Sequence, residues 1–395
     1  MIGPSKHLVF IQFGDFQEAW ERLAAGGAET YQAQKASMEH VIDRVGDYAV
    51  TIINFGRFER SDTMLDCGVR VIRPGPDAFQ AGKAFWLDLL TPLGPTHAVL
   101  RTPCLPALAA LTKLRCDTLV TLADSFNGKG VRARLYQWRL AQGLNAPTVR
   151  IAANHGRIAT RQLGAIGVKP EKVIAWDWPP SYRPHDYDPK PAPAGDRPPE
   201  ILFVGMLIPA KGVDDLIAAT RRLVDGRLAP IVRIVGKGDQ ERLRSMIDRV
   251  GLGDHVVLEG VRPNREVFAM MRDADIVVVP SRHDYPEGMP LTIYEALASR
   301  TPLLISDHPM FVENIRDGQD GMTFPAGNEK QLAEAARRLL TDGYLYERLS
   351  RNTLPAWERL QLPVTWMELL DRWLDDSEQN RAWLARHSLA CQGDN

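Results

Sequence analysis

Short runs rich in β-branched and aromatic residues alternate along this chain with stretches whose apolar positions recur at helical spacing. HLVFIQF (7–13) comes first, a helix is expected from Glu29 to Val45, and YAVTIINF, VRVI, HAVLR and DTLVTLA follow. Nearly continuous apolar runs separated by amphipathic stretches predict parallel strands covered on both faces, an α/β doubly wound sheet. The first run is followed by an expected long loop, Asp15 to Ala25, with Gly26-Gly27 at the first strand-to-helix turn. The alternation pauses at 179–199, PPSYRPHDYDPKPAPAGDRPP, where eight prolines among charged residues predict a linker. It then restarts with EILFVG, PIVRIVG, HVVLEG, DIVVVPS and TPLLISD, each followed by a helical stretch, as a second complete Rossmann-like unit. Residues 1–180 and 200–359 are therefore expected as two domains on either side of a 181–199 linker. Near the end, Trp366, Leu369, Leu370, Trp373 and Leu374 repeat at helical spacing, so helices over about 360–395 are expected to pack back on the first domain.

Composition agrees with two domains: 395 residues with 45% hydrophobic content exceed one compact core. The 48 basic and 49 acidic residues leave a net charge of -1, so no overall field draws the chain to nucleic acid, and a charged ligand must be held locally. Cys67, Cys104, Cys116 and Cys391 lack the close spacing of a zinc site and are few for a disulfide scaffold, which suits a reducing cytoplasm. The N-terminal apolar run is too short for a signal sequence, and no run of about 18 apolar residues follows, so membrane contact is expected to be peripheral at most. The basic stretch GVRARLYQWRLAQG could touch lipid headgroups or an acidic acceptor, although a solvated helix face explains it more simply.

Candidate chemistry concentrates in the second half. GMLIPAKG, Gly205 to Gly212, is a strand-to-helix loop carrying one cation, Lys211, where a phosphate would meet free N–H groups and the positive end of a helix dipole. Glu287 and Glu295 bracket Gly288, Met289, Pro290 and Leu291, the first on a loop and the second one turn into a helix. Two carboxylates so placed suit the vicinal hydroxyls of a ribose or hexose. The pair alone fits equally a helix-stabilising glutamate beside an unrelated loop acid. Asp186-Tyr187-Asp188 and Asp273-Ala274-Asp275 have the D-x-D shape of a metal site, but one lies among prolines and the other leads into a buried strand, so no metal is expected. No G-x-G-x-x-G follows a first strand, which argues against a nicotinamide oxidoreductase.

From Ile201 to about Asn352 the order FVGMLIPAKGVDDLI, IVGKGDQERL, VVLEGV, ADIVVVPS, EGMPLTIYEALASRTPLLISD and ENIRDGQDGMTF resembles the donor-binding domain of GT4-type retaining glycosyltransferases. The resemblance implies a GT-B fold, two Rossmann-like doubly wound parallel-sheet domains facing a central cleft. It also implies transfer of a sugar from a nucleotide-diphosphate sugar, a UDP- or GDP-sugar, to a carbohydrate, lipid-linked or small-molecule hydroxyl acceptor, without cofactor or metal. In that family the loop lysine, here Lys211, neutralises the diphosphate, Glu287 binds the donor sugar, Glu295 binds the ribose, Val261 and Arg262 border the base, and Gly26-Gly27 lie against the diphosphate. Two departures stand out: Met206 occupies a position where relatives have arginine, and Ala123-Asp124 one where they have histidine. The catalytic-side polar group is then Asp124, Arg101 or His155, with Asp177 near the linker as a further cleft candidate. A non-catalytic nucleotide-sugar binding protein is the alternative these departures suggest.

Overall fold

The computed structural model describes residues 6–391; positions 1–5, in the N-terminal run, and 392–395, in the expected C-terminal helices, lie outside the described residues. The chain divides into two compact units, one of residues 1–28, 33–179 and 362–395, the other of 29–32 and 180–361.

The first unit holds strands β1 (His7–Phe13), β2 (Ala49–Phe55), β3 (Ser61–Met64), β4 (Val69–Arg73), β5 (His97–Leu100), β6 (Asp117–Leu122), β7 (Val149–His155) and β8 (Val173–Trp176). They form an eight-stranded sheet in the order β3-β4-β2-β1-β5-β6-β7-β8. All are parallel except β3, which runs antiparallel to β4. Alternate residues of β1 enter different cores: Val9 and Ile11 pack with Leu100, Trp86 and Leu108, while Leu8 and Phe10 pack with Met38, Trp366 and Leu369. Both faces are covered, so the strand reads as one apolar run. Trp366, Leu369, Leu370 and Trp373 are buried in this unit, and Trp366 Nε1 donates to Thr121 Oγ1 at 3.3 Å.

Two expectations here need correction. The stretch after β1 is not a long loop: Phe16–Ala24 is a helix, capped by Asp15, whose side chain accepts from Glu18 N at 3.1 Å, and it buries Phe16 and Ala19. Gly26 and Gly27 consequently follow the first helix instead of preceding it. The helix expected from Glu29 to Val45 is shorter, Gln34–Ile42.

The second unit holds β9 (Glu200–Val204), β10 (Ile231–Val235), β11 (Val256–Gly260), β12 (Ile276–Val279), β13 (Leu303–Ser306) and β14 (Met322–Phe324). Its sheet is wholly parallel in the order β11-β10-β9-β12-β13-β14. Counted from its own first strand this is the 3-2-1-4-5-6 order of a doubly wound nucleotide-binding sheet, which reverses direction between β9 and β12. The proline-rich stretch, expected as a linker, is packed from residue 180 onward into this unit. Tyr182 stacks on Phe268 with centroids 3.7 Å apart, Lys190 Nζ donates to Ala274 O, and Arg197 grips Asp275 at 2.8 and 2.9 Å. Prolines prevent a ladder, but the aromatic and cationic residues between them supply the anchors.

Candidate functional site

Ligands of doubly wound sheets bind beyond the carboxyl ends of the strands where the strand order reverses. In the second unit that place lies between the loop after β9, residues 205–212, and the loop after β12, residues 280–290. Gly212 makes their approach possible. It takes φ 74°, and a Cβ there would sit 2.0 Å from Pro280 O. Arg282 N also donates to Ala210 O at 2.8 Å, tying the two loops together. A similar glycine contact sets the other flank: a Cβ on Gly236 would lie 1.7 Å from Gly205 O, and Leu207 N donates to Lys237 O at 2.9 Å. GKG is thus a backbone junction between two strand-to-helix loops.

This junction brings Lys211 to Glu287. Lys211 Nζ donates to Glu287 Oε1 at 2.5 Å and lies 4.3 Å from the centre of the Tyr285 ring. Ser281 Oγ donates to the same carboxylate oxygen at 2.5 Å. Glu287 is buried and Lys211 nearly so, which makes this a partly desolvated pair at the mouth of a helix. That helix, Val213–Asp225, has no side-chain cap, so its first N–H groups are available to an anion. The acids of its first turn are occupied: Asp214 by Arg242 at 2.8 and 2.9 Å, Asp215 by Arg282 at 2.9 and 2.5 Å.

Glu295 lies one turn into the helix Leu291–Ala298, which likewise starts without a side-chain cap, after Pro290. Burial pushes its carboxyl up to about 7, against the lowering effect of Asn264, whose Nδ2 donates to Glu295 Oε1 at 2.6 Å. Asn264 begins the helix Asn264–Asp273, and its own N–H donates to Glu29 O at 2.8 Å, within the second unit. The sequence offered a signal for Asn264: it lies two residues beyond Arg262 in VRPNREV, just past the pair expected to border the base. Ser281 and Tyr285 were also missed, because neither residue type stands out without the fold.

The remaining expected donor residues divide. Met206 is 44% exposed and Val261 53% exposed, both at carboxyl ends of strands, whereas Arg262 is drawn to Glu259 Oε2 at 2.6 Å. In the loop after β12, Gly288, Pro290 and Leu291 are part-buried, but the side chain of Met289 is buried, its sulfur taking a contact from Asn314 Nδ2 at 3.6 Å. Gly26 and Gly27 do not form a phosphate cradle. They sit at the carboxyl end of a helix, and their N–H groups go to Leu23 O at 3.0 Å and Arg22 O at 2.8 Å. That is the negative end of the dipole, with its donors already used.

The acceptor-side candidates lie in the first unit, whose own strand order reverses between β1 and β5. There Arg101 donates to Gln12 Oε1 at 2.8 Å and lies over the rings of Trp178 and Trp366, 5.5 and 5.0 Å from their centroids. His155, at the end of β7, is buried; its Nε2 shares a 2.8 Å hydrogen bond with Asp177 Oδ1, and its ring leans on Trp176. Asp177 N donates to Val364 O and Trp366 N to Asp177 O, both at 3.0 Å, so this pair pins the C-terminal segment to β8. Asp124, after β6, is half-buried, and burial raises its carboxyl to about 6. Of the two D-x-D triplets, 186–188 overlaps a short turn of helix, and 273–275 has Asp275 buried between Arg197 and Glu200 N.

With this geometry in place, comparison with known proteins is informative. The family described as Glycosyl transferases group 1 matches residues 186–354. The chain is 34% identical over 152 residues to the putative colanic acid biosynthesis glycosyltransferase WcaL of Escherichia coli K12, covering 38% of this chain and 37% of that one. It is 33% identical over 162 residues to alpha-D-kanosaminyltransferase of Streptomyces kanamyceticus, covering 40% and 41%. The match thus spans about two fifths of these relatives' own length. Among solved structures, sucrose-phosphate synthase from Thermosynechococcus elongatus superposes with a TM-score of 0.62 at 16% identity over 96% of this chain and all of that one. HepE from Anabaena, solved in complex with UDP-glucose, does so with a TM-score of 0.61 at 15% identity and the same 96% coverage of this chain. No helix among the described residues is long and apolar enough to cross a membrane. Residues 186–354 match the glycosyl transferases group 1 family, and the chain that carries them has the GT-B fold.

Proposed function

We propose that this protein is a retaining glycosyltransferase of the GT4 type that transfers a sugar from a nucleoside-diphosphate sugar to a hydroxyl acceptor, acting in the cytoplasm with at most peripheral membrane contact. The observation that carries the reading is the pairing of Lys211 with Glu287 across the two loops flanking the strand reversal of the second unit, with Glu295 one turn into the helix that follows the second loop. A donor placed there would set its diphosphate against Lys211 and the free N–H groups of the helix Val213–Asp225, its sugar at Glu287 and its ribose at Glu295. As the bond from anomeric carbon to diphosphate oxygen breaks, negative charge gathers on the diphosphate, where an ammonium and oriented N–H groups stabilise it most. The acceptor hydroxyl forms the new bond from the same face and gives its proton to the departing diphosphate. Lys211 and the helix N-terminus would supply the positive charge, so the reaction is expected to proceed without a metal.

Incubating the chain with UDP-, GDP- and ADP-sugars and following release of free nucleotide, in excess EDTA and then with added magnesium or manganese, tests this. Slow release from one donor class, unchanged by EDTA, is the expected result. Dependence on added metal would overturn the mechanism. Tight nucleotide binding with no release, even with candidate acceptors present, would instead favour a non-catalytic sugar-nucleotide binding protein, a reading that Met206 in the donor loop keeps open.

A further inference from the structure

Outside this site, the first unit has an open pocket of about 400 Å³ at the carboxyl end of β4, whose lining includes the polar Arg60, Ser61 and Arg73 and the apolar Ile72, Phe85 and Leu89. Ser61 opens β3 and Arg73 closes β4, and the two face each other in the antiparallel register. Arg73 Nε and Ser61 Oγ are buried and find no hydrogen-bond partner among the described residues. Buried donors are normally satisfied, and two unmet at one pocket call for an acceptor from outside.

The surrounding charges narrow the ligand. Arg73 is held from behind, by Asp15 at 2.6 Å and by the Phe58 ring at 5.3 Å, so its Nε edge is oriented. Asp62 also lines the pocket, but Arg70 takes both its oxygens, at 2.8 and 2.7 Å, and that hydrogen bonding holds its carboxyl below the usual range. Arg60 is exposed, has no ion-pair partner among the described residues and lies over Gly75, where a Cβ would come within 3.2 Å of it. Guanidinium groups only donate, and they match planar or tetrahedral oxyanions best. The apolar part of the lining, Ile72, Phe85 and Leu89, suits the C–H face of a ring, and the volume is that of a small-ligand site. Between this pocket and β1 the strand ends are paved with aromatic rings: Phe13, 55% exposed, and Phe79, 37% exposed, lie 5.1 Å apart, and both contact Phe55.

We propose that this pocket is an acceptor subsite for a sugar residue bearing an oxyanion, a carboxylate or a phosphate, with the charged group on Arg60, Ser61 and Arg73 and the ring against Phe85 and Leu89. Calling the ligand an acceptor rests on the glycosyltransferase reading; its binding does not. Calorimetric titration of the full chain with glucuronate, glucose 6-phosphate, glucose and inorganic phosphate tests the assignment, with UDP titrated in parallel. At least one anionic sugar should bind, with glucose at least about tenfold weaker. Whether glucuronate or glucose 6-phosphate binds more tightly tells carboxylate from phosphate. Arg60→Gln and Ser61→Ala should each weaken that binding by about threefold to tenfold while leaving UDP affinity unchanged. Equal binding of glucose, absence of binding by either anionic sugar, phosphate binding as tightly as the phosphorylated sugar, or variants that bind normally would each overturn the subsite. Those results would leave the donor site standing, whereas a wild-type chain that binds no nucleotide would overturn the glycosyltransferase reading instead.

Discussion

The two units place opposite kinds of chemistry where their strand orders reverse. In the second unit the reversal holds a part-desolvated ammonium and carboxylate, Lys211 and Glu287, delivered by two short loops and flanked by an uncapped helix start. In the first it holds Arg101 on Gln12, with its guanidinium over two tryptophans, one of them from residue 366 far along the chain. The same architecture therefore presents an ion pair beside an uncapped helix start in one unit and a guanidinium held by an amide and two aromatic rings in the other. Function cannot be carried from one reversal point to the other by topology alone; it follows from which charges are left for a ligand.

Lys211→Ala cuts deepest into this contrast. It removes the cation of the loop after β9 and leaves Glu287 buried with Ser281 as its remaining side-chain donor. Losing a charged donor to the diphosphate costs about 1.5–3 kcal/mol per contact, so UDP affinity and transfer are expected to fall about a hundredfold, and the stranded Glu287 carboxylate lowers stability besides. Calorimetry on the folded variant decides it; an affinity within about threefold of wild type would leave the second unit no more poised than the first.

Glu295→Ala should weaken donor binding about tenfold to a hundredfold through loss of a charged hydrogen-bond acceptor. The same residue predicts a pH signature. Its carboxyl sits at about 7 in the fold against an ordinary 4.5, so the unfolded chain releases that proton first as pH rises. Its contribution to stability is full below about 4.5 and is lost as pH passes through about 7. Melting curves of wild type and Glu295→Gln at acid and neutral pH should diverge in that window, the wild type losing more. UDP-glucose, whose diphosphate does not titrate there, should bind wild type more tightly as pH rises through it, since ribose hydroxyls donate to the ionised form. Parallel profiles for the two proteins would remove Glu295 from the role.

His155 tests the other side. As a structural residue joined to Asp177, it should cost about 2–3 kcal/mol of stability when replaced by alanine, with UDP affinity intact. A variant of normal melting temperature that had lost transfer would make it a catalytic group, and the contrast between the units would weaken.

These residues also show why the sequence was legible in one unit and not in the other. Lys211 and Glu287 lie on βα turns and Glu295 one turn into a helix, and although Lys211 and Glu287 are 76 residues apart, each sits in its own contiguous motif, so the chain text keeps their chemistry legible. His155, Arg101 and Trp366 meet only through the return of the C-terminal segment, a long-range event with no local periodicity. The helix Phe16–Ala24 was read as a loop because its mixed composition hides the cap at Asp15. The edge strand SDTM was missed because its pattern is polar, as an exposed sheet edge favours. Asn264 could have been found from its place after VVLEG; the Arg60–Arg73 pocket could not, since only the antiparallel register brings Ser61 opposite Arg73.

The smallest expected effect belongs to Met206, half-exposed on the donor loop where a second cation would share the diphosphate charge with Lys211. Arginine adds bidentate geometry that an ammonium lacks, and a diphosphate offers paired oxygens to receive it. Met206→Arg should therefore tighten UDP binding by about 1 kcal/mol, roughly fivefold, a gain limited by solvent screening of an exposed side chain. Turnover need not rise, because tighter ground-state binding does not by itself stabilise the transition state. In a Lys211→Ala background the same arginine should recover part of the lost affinity, since it would then be the loop's main cation. Fall of UDP affinity in the single variant, with its melting curve unchanged, would show that Met206 packs against the sugar or base. The second unit would then select its donor at that position by shape, and its cationic character would rest on Lys211 and the helix start alone.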